Sequence, residues 1–427
     1  MVEFANVKLW GKLVGVVLWD AARQTASFEY TPAFIQSGLD VSPLRMPLEK
    51  GSIYSFPELN AATFKGLPGM LADSLPDNFG NTLINRWLAE QGRDPDTYNP
   101  IERLLYQGKR SMGALEFEPA EKIISNHSTK IELEGLVEAA RIAISQKEKL
   151  DIHFEGKDSD LLQIMKVGTS AGGARAKAVI AYNESTKEVR SGQLNAPDGF
   201  THWLIKLDGV TNNELGDPKH YGRIEYAYYK MAIACGIEMT GCQLLEENGR
   251  AHFMTRRFDR IGAKEKLHMQ TLCGLAHFDF NTPGVYSYEQ LFQTMRSLRL
   301  PYTDAEQVYR RMVFNIVARN QDDHTKNFSF LMDKNGKWRL SPAYDVAYSY
   351  NPTGEFTSLH QMSVNGKRDK FTREDLLKVA QSMNIKKAEE IIEEIISSVS
   401  LWEQVAAESG IPESQTKSIA AAHRLKW

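Results

Sequence analysis

The sequence predicts an α+β protein of two lobes, with a strand-rich N-terminal part and a mostly helical C-terminal lobe. Three observations predict it. Short alternating apolar runs separated by tight-turn residues dominate as far as about residue 260. Longer patterns of helical period dominate after it. Within the helical part, the polar run Gln321-Asp322-Asp323-His324-Thr325-Lys326-Asn327 is held between apolar flanks, Phe314-Asn315-Ile316-Val317-Ala318 and Phe328-Ser329-Phe330-Leu331.

The elements follow in chain order. Val7 to Trp10, Leu13 to Trp19 and Ala26 to Tyr30 read as strands, with Gly11-Lys12 and Asp20-Ala21-Ala22 as turns. Leu71, Leu75, Phe79, Leu83 and Trp87 recur every four residues and predict a helix over 70–90, with Pro76 as a break point. Arg110 to Phe117 reads as a strand. A helix is expected around 130–145, then a strand at Leu161–Val167, a Gly-rich turn, and strands at Lys177–Tyr182 and Thr201–Leu207. Arg223 to Cys235 reads as a helix closed by Gly236. Strands are expected at 243–247 and 251–255. Helices follow at 286–298, 304–320, 372–383, 387–409 and 412–424, and Thr372 with Asp375 resembles a capping box. One hairpin interrupts them, Phe328–Met332 and Lys337–Leu340 about Asn335-Gly336. Three domains are expected: an α+β unit over 1–120, a strand-rich lobe over 121–259 and a helical lobe over 260–427.

Composition narrows the class. The 427 residues are 42% hydrophobic and 25% charged, as in an ordinary folded protein and unlike a disordered one. A net charge of −3 gives no overall attraction to nucleic acid. Cys235, Cys242 and Cys273 form no CxxC pair and no zinc spacing, so they read as reduced, buried thiols. No leader pattern opens the chain and no apolar run is long enough for a membrane span, so a cytoplasmic protein is expected.

The chemistry is concentrated in three carboxyl or amide groups. Asn327 stands five residues after Asp322, and Asp345 eighteen after Asn327, beyond the hairpin. Phosphoryl transfer needs an acid that takes or orients the acceptor hydroxyl's proton, and hard oxygen ligands for Mg²⁺. Asp322 suits the first role, and Asn327 and Asp345 the second. Lys326 is within reach of a phosphate, and His324 reads as a brace of the loop beside it. Lys206, alone in the apolar strand His202–Leu207, suits the phosphate-binding lysine of such a site, and Glu225 its partner on the next helix. Gly168 to Lys177 is a run of small residues with two hydroxyls, Thr169 and Ser170, able to approach phosphates closely. Thr255 to Arg260 falls at the lobe boundary and reads either as an adenine-contacting hinge or as a charged linker.

Together, Ser170-Ala171-Gly172-Gly173-Ala174-Arg175-Ala176-Lys177, Leu204-Ile205-Lys206, Arg257-Phe258-Asp259-Arg260, Asp322 to Phe328 and Leu340-Ser341-Pro342-Ala343-Tyr344-Asp345-Val346 resemble the HipA family over nearly the whole chain. The resemblance implies a serine/threonine protein kinase toxin of a toxin–antitoxin module, with a fold related to phosphoinositide and eukaryotic protein kinases. It implies Asp322 as the catalytic residue and Asn327 and Asp345 as Mg²⁺ ligands. It implies ATP contacts from Lys206, Arg256 and Phe258, and autophosphorylation at Ser170; Glu225, Ser170, Ala171, Gly172, Gly173, His324 and Lys326 are expected beside them at the ATP site. It further implies a separately encoded helix-turn-helix antitoxin, operator DNA bound mainly through that antitoxin, and a translation-related protein substrate such as glutamyl-tRNA synthetase. On the residues alone, a small-molecule kinase of sugar or aminoglycoside type and a catalytically silent corepressor stay open.

Overall fold

The computed structural model describes residues 2–120, 130–145, 175–192, 196–210 and 220–427. The expected strand Leu161–Val167 and the Gly-rich segment with Thr169, Ser170, Ala171, Gly172 and Gly173 lie outside them. The chain divides into two compact units. One comprises 1–219, 245–269 and 333–336, and the other 220–244, 270–332 and 337–427.

The first unit is built on two five-stranded sheets. β1 (Phe4–Leu9), β2 (Lys12–Asp20), β3 (Thr25–Tyr30), β4 (Ile53–Tyr54) and β5 (Leu115–Glu118) pair antiparallel in the order β4–β3–β2–β1–β5. Alternation in the sequence decides the inner face. Val17 and Trp19 turn inward with Val7, Leu9 and Phe28, while Val16 and Leu18 face outward. The strand expected from Arg110 is shorter, because Gly113 adopts a left-handed φ of 75° and the Ser111 hydroxyl donates back to the Leu115 carbonyl. The helix expected over 70–90 is interrupted. One turn, Gly69–Ala72, precedes Pro76, and a new helix, Asn78–Glu90, begins where the Asp77 carboxylate accepts the Gly80 N–H at 2.6 Å. Proline supplies no N–H to continue the first helix, and Asp77 caps the second.

β6 (Lys177–Tyr182), β7 (Val189–Ser191), β8 (Thr201–Lys206), β9 (Cys242–Glu247) and β10 (Arg250–Arg256) form the second sheet, in the order β7–β6–β8–β10–β9. Every residue of β6 is buried, as its apolar run Ala178–Ala181 permits. Ile180, Trp203, Ile205 and Met254 share one core with Phe79, Leu83 and Leu88 of the helix Asn78–Glu90 and with Leu136 and Val137 of the helix Leu133–Ser145.

A buried charge knot ties the turn before β5 to the segment after β10. The Arg257 guanidinium grips both oxygens of Asp259 at 2.9 and 2.7 Å. Arg260 donates to the same carboxylate at 2.7 Å and to the Gly113 carbonyl at 3.0 Å. The Gly113 N–H completes the set at 2.7 Å. A Cβ on Gly113 would stand 3.0 Å from the Met269 nitrogen, so only glycine fits this approach.

The second unit is mostly helical. Its helices are Tyr221–Ala234, Tyr288–Ser297, Tyr302–Val317, Arg373–Met383, Ala388–Ser400, Trp402–Glu408 and Glu413–Ala422, with a short one at Leu272–Ala276. Gly236 ends the first at φ 70°. The Thr372–Asp375 capping box is present. The helix expected over 387–409 divides at Leu401, and Trp402 turns inward, its ring 5.5 Å from that of Tyr228 and its Nε1 donating to the Thr416 carbonyl. The hairpin pairs Ser329–Met332 with Trp338–Leu340, Phe330 opposite Leu340. Its turn is closed by the Gly336 N–H to the Asp333 carbonyl, with Gly336 at φ 79°. Among the described residues no helix is long and apolar enough to cross a membrane.

The Asp259 knot makes a prediction. Burial alone would raise this carboxyl's pKa, but Arg257, Arg260 and the Gly113 N–H outweigh burial and hold it well below the usual carboxylate range. A folded pKa below the unfolded one stabilises the fold above the ordinary carboxylate range, and that stabilisation is lost as pH falls below it. Asp259→Ala leaves two buried guanidinium groups without their counter-charge and is expected to cost about 3–5 kcal/mol in urea unfolding at neutral pH. It should also flatten the acid limb of stability against pH. An unchanged midpoint would show that the knot is dispensable.

Candidate active site

The helix Tyr302–Val317 delivers the chain to the polar loop. Its last turns are buried on all sides, from Met312 to Val317. It ends three residues short of the expected Asn320 boundary, because Arg319 takes a left-handed φ of 60°. Such a conformation is uncommon for a non-glycine residue and needs external support. Arg319 has it: its Nε donates to the Ala422 carbonyl at 2.8 Å, and its guanidinium lies 4.3 Å from the centre of the Tyr350 ring. Tyr228 donates to the Ala318 carbonyl at 2.6 Å from the neighbouring helix.

Asp323 anchors the loop that follows. Its carboxylate is fully buried and accepts three hydrogen bonds: Tyr288 O–H at 2.9 Å, His360 Nδ1–H at 2.9 Å and the Gln361 N–H at 2.7 Å. Burial would raise its pKa, but the charge and hydrogen bond of His360, the Gln361 N–H and the Tyr288 hydroxyl together lower it. The network continues inward. Asn315 donates to the Tyr288 oxygen at 2.9 Å, and Asn320 donates to Asn315 Oδ1 at 2.9 Å.

With Asp323 fixed inside, its neighbour Asp322 is turned outward, its side chain 45% exposed. His324 Nε2 lies 3.9 Å from Asp322 Oδ1. The ring of Phe280 organises two residues at once: its centre is 5.4 Å from that of the His324 ring and 4.5 Å from the Lys326 ammonium. The Thr325 hydroxyl donates to the Phe278 carbonyl at 2.7 Å. A single 3₁₀ turn, Thr325–Asn327, then brings the chain round. Asn327 Nδ2 donates to the Asp322 carbonyl at 2.7 Å, which orients the amide and leaves Oδ1 as the atom able to meet a cation.

The hairpin returns Asp345 to the same place. The Tyr344 hydroxyl donates to the Lys326 carbonyl at 2.6 Å and also meets the Ser329 hydroxyl. The Ala343 N–H donates to the Glu238 carbonyl at 2.7 Å. Asp345 itself adopts φ 56°. Asn327 and Asp345 both line one small cavity, of about 20 Å³. No cluster of three or more His, Cys, Asp or Glu able to hold a metal occurs among the described residues. Two hard-oxygen donors fit Mg²⁺, which keeps most of its coordination sphere for water and phosphate oxygens, and do not fit a metal that needs a full protein cage.

Lys206 ends β8, half-buried, its ammonium 5.8 Å from the centre of the Phe253 ring. Directly opposite it in the ladder stands Lys177 of β6, which is buried. Opposed residues of an antiparallel pair share a face, so two lysines occupy one face of the sheet. Sequence reasoning passes over Lys177, which reads as the tail of the Gly-rich run; a charged residue opening an otherwise apolar strand is the signal that could find it. Glu225 is buried in the helix Tyr221–Ala234. Lys206 belongs to the first unit and Glu225 to the second. At the end of β10 and beyond, Arg256 is exposed and Phe258 half-buried, while Arg257, Asp259 and Arg260 form the charge knot. Tyr288, His360 and Phe280 carry no motif, and only the fold reveals them.

Comparison with known proteins gives a consistent result. The profile of the HipA-like C-terminal domain matches residues 169–402, and that of the HipA N-terminal domain matches 5–118. A serine/threonine-protein kinase toxin HipA from Shewanella oneidensis is 23% identical over 357 residues, covering 78% of this chain and 72% of that protein. Y4mE of Sinorhizobium fredii, provisionally named a kinase, is 27% identical over 226 residues, which span 49% of this chain and 51% of that one. The chain thus spans about half the length of some curated relatives that it matches. Among solved structures, Shewanella oneidensis MR-1 HipA, determined with HipB and operator DNA, superposes with a TM-score of 0.67 at 18% identity, covering 98% of this chain and 94% of that one. The fold is therefore that of HipA.

The Asp323 anchor predicts a separation of effects. Asp323→Asn preserves shape but removes the charge facing His360, and is expected to cost about 3–5 kcal/mol in stability. Tyr288→Phe removes one donor and is expected to cost about 1–3 kcal/mol. Chemical denaturation measures both, and equal, negligible losses would show that Asp323 does not anchor the loop.

Proposed function

Because the chain belongs to the HipA family, we propose that it is an ATP- and Mg²⁺-dependent kinase that phosphorylates a serine or threonine of a protein. The observation that carries this reading is the meeting of Asn327 and Asp345 on one cavity, with Asn327 oriented by the backbone of Asp322. Mg²⁺, when bound, supplies neutralisation of phosphate charge. In this reading Asn327 Oδ1 and the Asp345 carboxylate hold the ion. Lys206 is the lysine that meets the nucleotide phosphates, with Lys177 opposite it on the same sheet face, and Glu225 keeps the ATP-site role expected from the sequence. Arg256 and Phe258 border the adenine. Lys326, with its ammonium over Phe280, and His324 close the phosphate end. The outward carboxylate of Asp322 takes or orients the acceptor proton as the hydroxyl oxygen bonds to the γ-phosphorus and the bond to the ADP oxygen breaks.

Ser170, Ala171, Gly172 and Gly173 complete the reading as a loop over the nucleotide. A phosphate on Ser170 brings about −1.5 to −2 charges beside ATP's own phosphates, so autophosphorylation would displace the loop and silence the enzyme. The solved complex of the Shewanella HipA with HipB and operator DNA supports an antitoxin and operator DNA as partners, and in this reading the antitoxin is a small helix-turn-helix protein through which most of the DNA contact is made. The protein substrate in this reading is a component of translation, such as glutamyl-tRNA synthetase.

Asp322→Ala and Asp345→Asn are each expected to lower kcat on the order of 10²–10³-fold, the scale seen when one preorganised charge-stabilising group is removed, with folding intact by circular dichroism. Phosphoproteomics of cells expressing the chain or its Asp322→Ala variant should reveal the target as phosphosites present only with the former. A Ser170 phosphoform should bind ATP weakly in calorimetry. Turnover of a small alcohol, with no phosphate on Ser170 or Thr169 after incubation with ATP, would replace this reading by that of a small-molecule kinase.

A further inference from the structure

The cavity that brings Asn327 and Asp345 together has a second wall that the proposed mechanism does not use. Arg311 stands there, fully buried in the helix Tyr302–Val317. Its Nη2 donates to the Ser341 carbonyl at 2.7 Å, four residues before Asp345. Its Nε and Nη1 are buried and find no hydrogen-bond partner among the described residues, and the same is true of Asn320 Oδ1. Both residues line the cavity. An unsatisfied buried polar group costs about 1–3 kcal/mol, and more when it is charged.

The chemistry of the walls selects an occupant. Arg311 requires an acceptor and Asn320 Oδ1 requires a donor. An anion could not donate to Asn320 and would share the space with the Asp323 and Asp345 side chains. A further cation at this wall, beyond the one assigned to Asn327 and Asp345, would face the Arg311 guanidinium. Water satisfies both requirements, and a cavity of about 20 Å³ admits one molecule, since roughly 10–15 Å³ is needed for each. Asp345 needs such support, because a non-glycine residue at φ 56° is held there only when its surroundings over-determine it.

We infer that this cavity is a site for one ordered water, and that Arg311 is a positioning residue that sets the pose of Asp345 through its bond to Ser341 and through that water. The inference rests on the reading of Asp345 as a cation ligand. Arg311→Lys keeps the charge and a donor for Ser341 but loses the remaining fork of donors. Asn320→Leu fills the cavity and leaves the Arg311–Ser341 bond alone.

The test uses the full chain with a non-hydrolysable ATP analogue and Mn²⁺, with bound Mn²⁺ followed by electron paramagnetic resonance. Arg311→Lys should raise the half-saturating Mn²⁺ concentration about tenfold or more, the scale of losing an outer-shell partner, with little change in analogue affinity in the absence of metal. If Arg311→Lys does not fold, Asn320→Leu is read in the same way. A high-resolution crystal structure should show solvent density within hydrogen-bond distance of both Arg311 and Asn320. Unchanged Mn²⁺ affinity in the folded variants, or a dry cavity, would overturn the inference. Asp345→Asn separates the two ideas: if it abolishes Mn²⁺ binding while Arg311→Lys leaves it intact, only the role of Arg311 falls, and if it leaves binding intact, the cation-site reading falls as well.

Discussion

A carboxylate taken out of water must be met by donors from its surroundings, and in the second unit that demand fixes the reactive loop. Asp323 receives its three hydrogen bonds from residues 35 to 38 positions away in the chain. Leaving any of them unmade would strand a buried charge, so the loop can close only when the helix Tyr288–Ser297 and the segment around His360 are in place. The orientation of its neighbour follows. Asp322 points outward because Asp323 points inward, and the carbonyl of Asp322 in turn orients Asn327. The pose of the candidate chemistry thus depends on one ionic group that takes no part in it.

The first unit repeats the device with a different purpose. Asp259 is held by two guanidinium groups and one backbone N–H, and joins the turn at Gly113 to the segment after β10. The motif Arg257-Phe258-Asp259-Arg260 therefore has a structural role in its charged residues. Its three charged groups bind the unit together, while Phe258 is half-buried among them and the preceding Arg256 is exposed. Read as a string, the motif looks like a single hinge.

Much of the fold was legible in the sequence because its signals are local. The strands from Val7 to Tyr30, the Gly236 stop and the Thr372–Asp375 capping box depend on residues within one turn or one hairpin. Misjudged boundaries have identifiable causes. Pro76 and Asp77 divide a periodicity that looks continuous, and Leu401 divides another so that Trp402 can enter the core beside Tyr228. Neither the left-handed backbone of Arg319 nor that of Asp345 has a glycine to announce it.

By itself the sequence determined the spacing of Asp322, Asn327 and Asp345, the hairpin that returns the third to the first two, and the family to which the chain belongs, because spacing and turn chemistry are short-range properties. Tertiary structure alone decided which of two adjacent aspartates faces the solvent and which is sealed inside. It alone set Lys177 beside Lys206, and Arg311 on the cavity that Asn327 and Asp345 line. The physical reason is that a charged side chain's state depends on what surrounds it in space. Those partners come from distant parts of the chain, where no periodicity records them.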